Sequence, residues 1–196
     1  MGNEYTERDL HAEQGLFISR FEQMCYWIRV NIQTLSFPEG AHGVSQVCEI
    51  LLEGMTAEPL VKKFGALVLH VYTDDALTKK VIKKMTDFIK DKVIPVRNSL
   101  THGVARYNFD PATMGSRNLS HREFSLTHPK IKSAGFDVGH KIVTIDNLRY
   151  LNEILETLGT CLVHTSFAFD NKEPLPLKFA NSILDFLQSC EFSLES

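Results

Sequence analysis

The sequence predicts an all-α protein: a helical bundle of about five or six helices, with a small irregular or β-containing insert at about residues 104–145. Three observations carry this prediction. Apolar residues recur at spacings of three and four along most of the chain, which is the period of one buried helix face. Proline and glycine gather between those runs, where helices have to stop. Between residues 104 and 145 the helical period gives way to turn residues and to two short pieces of strand character, EFSL and KIVTI.

Each element has its own warrant. The first helix is expected from Glu4 to about Ser36, with Phe17, Phe21, Met24, Cys25, Ile28, Ile32 and Leu35 as its apolar stripe. It breaks at SFPEGAHG, which holds Pro38, Gly40 and Gly43. A second helix uses Val44, Val47, Cys48, Leu51, Leu52 and Met55. A third begins near Thr56, a capping residue, with Pro59 in the first turn, where a missing N–H costs little. Its stripe is Leu60, Phe64, Leu67, Val68 and Val71.

The fourth helix runs from about Asp75. Leu77, Val81, Met85, Phe88, Ile89 and Val93 face the core, and Lys79, Lys80, Lys83, Lys84, Lys90 and Lys92 fill the other sides. Pro95 removes a backbone donor and crowds the preceding turn, so a kink or restart is expected there. The stretch RNSLTHG, residues 97–103, follows, with Gly103 suited to the position just past a helix end. The insert is expected to hold two or three short strands among Asn108, Pro111, Gly115, Pro129, Gly135 and Gly139. Helical pattern returns at Thr144 or Asp146, with Asp146 as cap and Leu148, Leu151, Leu155, Leu158 and Leu162 as stripe. DNKEPLP is a linker, and a last helix from about Leu177 to Cys190 carries Phe179, Ile183, Leu184 and Leu187.

The chain of 196 residues, 43% hydrophobic and 23% charged, fits one globular domain, residues 1–196, that needs no disulfide or metal staple. Its start, MGNEYTERDLHAEQ, is polar and acidic, so no signal peptide is expected, and no apolar run is long enough for a membrane span. Cys25, Cys48, Cys161 and Cys190 form no C-x-x-C pair; the first three read as buried thiols of a reducing compartment, the cytoplasm. His121, His128 and His140 in the insert lack ligand spacing, so no metal site and no cofactor are expected. P-loop, G-x-G-x-x-G and G-x-S-x-G motifs are absent, which removes support for nucleotide hydrolysis and serine esterase chemistry.

The net charge of −3 is unevenly spread. Residues 1–59 carry 3 basic and 9 acidic side chains, residues 60–106 carry 10 and 4, and residues 107–196 carry 8 and 11. The basic third contains RNSLTHG, and a locally positive surface can attract phosphate. Arg97 is permanently charged and forks onto phosphate oxygens, and His102 can move a proton near neutral pH. Together they supply the minimum for cutting RNA without a metal: a base for the ribose 2′-hydroxyl and a cation for the charge on phosphorus oxygens. On one helix, however, positions five apart stand about 140° from each other. Asn98 and His102 share a face, and Arg97 and His102 do not. Two copies across a two-fold axis would bring them into one cleft, so a homodimer is expected.

The arrangement R-x-x-x-x-H with a polar residue after the arginine, here Arg97, Asn98 and His102 followed by Gly103, resembles the motif of the HEPN superfamily. A helical bundle before the motif, an irregular stretch after it and a further amphipathic helix extend the resemblance over roughly residues 5–165. The resemblance implies a dimeric, metal-independent endoribonuclease acting on RNA, with Arg97 and His102 catalytic and Asn98 supporting. It also implies a setting in toxin–antitoxin or antiphage defence, with an antitoxin or defence complex as partner. Some members carry a tyrosine two residues past the histidine; here that position is Val104, and the nearest tyrosine is Tyr107. Other members have lost cleavage and work as protein- or nucleotide-binding modules.

A plainer account makes RNSLTHG a helix end, with Arg97 paired to a carboxylate of the N-terminal third, Asn98 satisfying backbone near Pro95 and His102 at the free carbonyls. Glu22, beside the first stripe, is the carboxylate placed to steady Arg97 or orient His102. Trp27 falls off that stripe and is expected to cover a neighbouring helix or a dimer interface.

Overall fold

The first helix, α1 (Glu7–Ser36), supplies the spine of the core through Phe17, Phe21, Met24, Cys25, Ile28 and Ile32. In this computed structural model the described residues are 7–37, 42–102, 104–107, 123–132 and 135–190, and the side chains of residues 7, 42–45, 102 and the strands fall outside the description. The remaining elements are α2 (His42–Leu52), α3 (Ala57–Val71), α4 (Ala76–Phe88), a π-helical turn (Ile89–Val93), α5 (Ile94–His102), β1 (Val104–Tyr107), β2 (Glu123–Lys132), β3 (Gly135–Thr144), α6 (Ile145–Asp170) and α7 (Leu177–Ser189). The architecture is a helical bundle with a small β-containing insert.

Helix α1 packs most extensively on α6, and the contacts give the direction. Glu13 meets Arg149 and Asn152, Arg20 meets Glu156, and Asn31 meets Leu162. The partners climb together, so α1 and α6 run parallel, and the chain must cross back between them through the intervening helices and sheet. Asn31, fully buried, fastens this contact: its Nδ2 donates to Trp27 O at 2.8 Å and to Leu162 O at 3.0 Å. The α6 stripe of Leu148, Leu151, Leu155, Leu158 and Leu162 is wholly buried, as its spacing predicts. Helix α3 closes another side through Leu60, Val61, Phe64 and Val68, and Phe169 of α6 stacks on Tyr72 at 5.0 Å between ring centroids.

Several expectations are corrected. Among the described side chains of α2, Cys48 and Leu52 are buried, whereas Val47 and Leu51 are 53% and 66% exposed. This helix is apolar on more than one face, and packing uses only one of them. Thr56 sits at the N-cap of α3 with an extended backbone but makes no side-chain cap bond. The residue three positions on is Pro59, which has no N–H to offer there. Asp75 does cap α4, accepting from Leu77 N at 3.0 Å and Thr78 N at 3.2 Å. Asp146 lies inside the first turn of α6 rather than ahead of it, because the helix starts at Ile145. Val71, expected at the core, is 44% exposed at the last turn of α3.

The insert is more regular than its turn residues imply. It forms an antiparallel sheet in the order β1-β2-β3, and β2 and β3 each run ten residues rather than being short. Pro129 lies within β2, opposite Val138 of β3. The pairing of β1 to β2 spans Phe124 to Thr127, so among the described residues the other side of β2 at Pro129 is an edge that needs no N–H.

Candidate active site at the α1–α5 contact

Local winding places Arg97. Met85, Ile89 and Val93 are buried at successive steps of four. In a regular α-helix each such step drifts about 40°, a drift that Met24, Ile28 and Ile32 of α1 also accommodate within the core. At Ile89 the helix widens into a π turn: Ile94 N–H donates to Ile89 O, five residues back. The same widening relieves Pro95, whose ring would press on the carbonyl four residues earlier. The interruption expected at Pro95 is therefore taken up one turn ahead of the proline, and the chain stays helical through it.

On α5, Val96 and Ser99 are buried and Leu100 is partly buried. That inward stripe leaves Arg97 on one flank, the His102 position on the other and exposed Asn98 between them. The separation of about 140° expected from the spacing holds for the helical backbone of residues 94–102. The His102 side chain and Gly103 lie outside the described residues.

Arg97 leans toward α1. Its guanidinium carbon stands 5.6 Å from the centroid of the buried Phe21 ring, within the range of a cation–π contact. Its Nη2 is 3.9 Å from Glu22 Oε1, and the two side chains are 31% and 54% exposed. Its Nη1 donates to Asn98 Oδ1 at a long 3.5 Å. Its Nε is buried and has no hydrogen-bond partner among the described residues. The expected carboxylate of the N-terminal third is thus present at Arg97, but as a loose, solvent-facing pair, so among the described residues most of the hydrogen-bonding capacity of the guanidinium is not taken up. Thr101 Oγ1 donates to Arg97 O at 2.9 Å and ties the following turn to it.

Beneath this cluster lies Cys25. Burial pushes its thiol up to about 12, and Glu22 adds to the rise, while Arg29 and Arg97 pull the other way. Arg29, like Arg97, has a buried Nε without a hydrogen-bond partner among the described residues. Trp27 is partly buried against the core and meets the exposed Tyr26 edge-on at 5.3 Å.

The structure brings Arg97, Asn98 and Glu22 together, while leaving Arg97 and the His102 position on separate flanks of one helix. His121 lies outside the described residues. His128 pairs in register with Gly139, and His140 with Thr127, so the two histidines hold positions on opposite faces of the sheet. Among the described residues, no group of three His, Cys, Asp or Glu is placed to hold a metal ion, and no helix is long and apolar enough to cross a membrane. The sequence reading missed Phe21 as the ring under Arg97, and Arg29 as a second arginine at Cys25. The available signal was helical period, because positions 22, 25, 26 and 29 share one face of α1. Comparison with known proteins gives no matching family model, no matching curated protein and no matching solved structure.

Proposed function

We propose that this chain is a HEPN-like, metal-independent endoribonuclease that works as a homodimer. The observation that carries the reading is Arg97: a guanidinium braced on the Phe21 ring, open at its outer edge, on the same helix as His102. In the reaction, the imidazole of His102 takes the proton of a ribose 2′-hydroxyl. The 2′-oxygen attacks the adjacent phosphorus, the bond to the 5′-oxygen breaks, that oxygen takes up a proton from water, and the His102 imidazolium returns its proton to solvent. The products end in a 2′,3′-cyclic phosphate and a 5′-hydroxyl. Arg97 stabilises the charge on the phosphorus oxygens, and Asn98, an exposed residue between the two, orients His102 or the phosphate. Because Arg97 and His102 occupy opposite flanks of α5, a cleft built from two copies supplies the arginine of one and the histidine of the other.

The test is cleavage of mixed cellular RNA in EDTA by the wild type, Arg97→Ala and His102→Ala, with analysis of product ends and of solution mass. Loss of cleavage in both variants, cyclic-phosphate ends and a dimeric mass are expected. Equal cleavage in all three would show a contaminating nuclease and remove the reading.

A second reading, a HEPN-like protein-binding module without cleavage, draws on the α2 face formed by Val47, Ile50 and Leu51, all more than half exposed. An intact fold with no RNA cleavage by the wild type would favour it.

A further inference from the structure

Resting on the ribonuclease reading, we infer that α1 carries a single-stranded RNA-binding strip that extends the Arg97 site: Arg29 and Arg97 hold the ribose–phosphate backbone, and Tyr26 stacks a base. Glu22, Cys25, Tyr26 and Arg29 lie within about 100° of one another around α1, so they line one face. Arg97 enters the same face from α5, over Phe21 and beside Glu22. Seven residues separate Glu22 from Arg29, about two turns or 10 Å along the axis, which leaves room for more than one nucleotide along the strip.

Three features of the strip match what single-stranded RNA requires. Two arginines flank it, Arg29 partly buried and Arg97 with a side chain 31% exposed, each held at its buried Nε end with the rest of the guanidinium toward the surface. Phosphate oxygens are strong acceptors for the outer edge of a guanidinium fork. Tyr26 is a large aromatic residue, 56% exposed, whose ring is steadied edge-on by Trp27 at 5.3 Å and 72°. A fixed ring with an open face between cationic side chains is a stacking platform that accepts any base. The acidic member, Glu22, is 54% exposed at that side chain and only loosely paired to Arg97 at 3.9 Å, so a phosphate can displace it.

The experiment measures binding of a fluorescein-labelled 2′-O-methyl oligouridylate, which lacks the nucleophilic hydroxyl and is not cut. Tyr26→Ala is expected to weaken binding about tenfold, with Tyr26→Phe restoring it. Arg29→Ala is expected to weaken binding several-fold and to reduce the slope of log affinity against log salt by about 0.7. Lys178→Ala, at an exposed lysine on α7, is expected to bind as the wild type does. Thermal melting of each variant separates loss of the strip from loss of the fold. Wild-type affinity in both Tyr26→Ala and Arg29→Ala, or no binding by the wild type, overturns the strip. So does a shift of Tyr26→Ala from dimer to monomer at unchanged affinity. Binding that depends on Tyr26 and Arg29 without His102-dependent cleavage removes the nuclease reading and keeps the strip. His102-dependent cleavage with no role for Tyr26 or Arg29 does the reverse.

Discussion

The guanidinium carbon of Arg97 lies 5.6 Å from the centre of the Phe21 ring, so the basic group of α5 rests on a core residue of α1. One face of Phe21 therefore serves the core and the other aims a cation. Replacing Phe21 with leucine keeps an apolar side chain and removes the ring face. A loss of about 1–2 kcal/mol is expected from volume and cation–π contact together. A double-mutant cycle with Arg97→Met, followed by urea unfolding, isolates the ring–cation share, expected near 0.5–1 kcal/mol. Strict additivity of the two substitutions would show that Arg97 does not use the ring.

Glu22→Gln separates the pair at Arg97 from the fold. The carboxylate is 54% exposed and 3.9 Å away, so its removal is expected to change stability by less than about 0.5 kcal/mol. It also frees Arg97 and removes a negative charge from the proposed RNA-binding strip. Cleavage at low RNA concentration and low salt is then expected to rise a few-fold, with the gain fading as salt is added. Slower cleavage in Glu22→Gln would instead make Glu22 a positioning group for Arg97.

The helices were legible because their signal is local. The stripe Leu148, Leu151, Leu155, Leu158 and Leu162 has one period, one face and one burial outcome. Where a helix is apolar on two faces, as at Val47 and Leu51 against Cys48 and Leu52, periodicity cannot say which face finds a partner. The π turn was visible only as 4-4 spacing from Met85 to Val93, which an α-helical template absorbs without complaint. At the site, Arg97 and Glu22 were legible as residue types, but their meeting depends on α1 packing beside α5. That is a long-range fact, whereas Arg29 beside Cys25 is a local i,i+4 relation on α1 that the helical period already carries. The long strands were hidden by Pro129 and by glycines that read as turns but sit within or at the start of paired strands.

Two glycines should respond to alanine with opposite signs. Gly159 lies in the middle of α6, and a Cβ built there meets nothing within 4 Å. Gly159→Ala is expected to stabilise by about 0.5–1 kcal/mol through reduced freedom of the unfolded chain. Gly54, in the turn after α2, has φ of 73°, where a Cβ is strained. Gly54→Ala is expected to destabilise by about 1 kcal/mol or somewhat more. Urea midpoints at matched slopes check both, and a stabilised Gly54→Ala would contradict the assigned turn.

Asp75 should give the fold a measurable acid dependence. Partial burial pushes its carboxyl up, but bonds from the Thr78 hydroxyl and from the backbone N–H groups of Thr78 and Leu77, with Lys79 nearby, outweigh this and leave it below its ordinary value. Thr78 is itself buried; it donates to Asp75 at 2.5 Å and accepts from Leu175 N at 3.0 Å, so the cap is tied to the segment entering α7. A carboxyl whose folded pKa is depressed stabilises the fold above its unfolded value, about 3.9, and loses that contribution as pH falls through the folded value. Asp75→Asn keeps a capping oxygen but cannot ionise, and Asp75→Ala removes the cap, at about 1 kcal/mol. At pH 7 the expected order of stability is wild type, then Asp75→Asn, then Asp75→Ala. Between pH 5 and 7 the gap from wild type to Asp75→Asn should stay constant. Below about pH 4 it should begin to close, as the unfolded carboxyl protonates, and it is gone once pH falls below the folded value, where the wild-type carboxyl is neutral too. A gap that widened on acidification would mean that the charged form is not the one the α4 N-terminus holds.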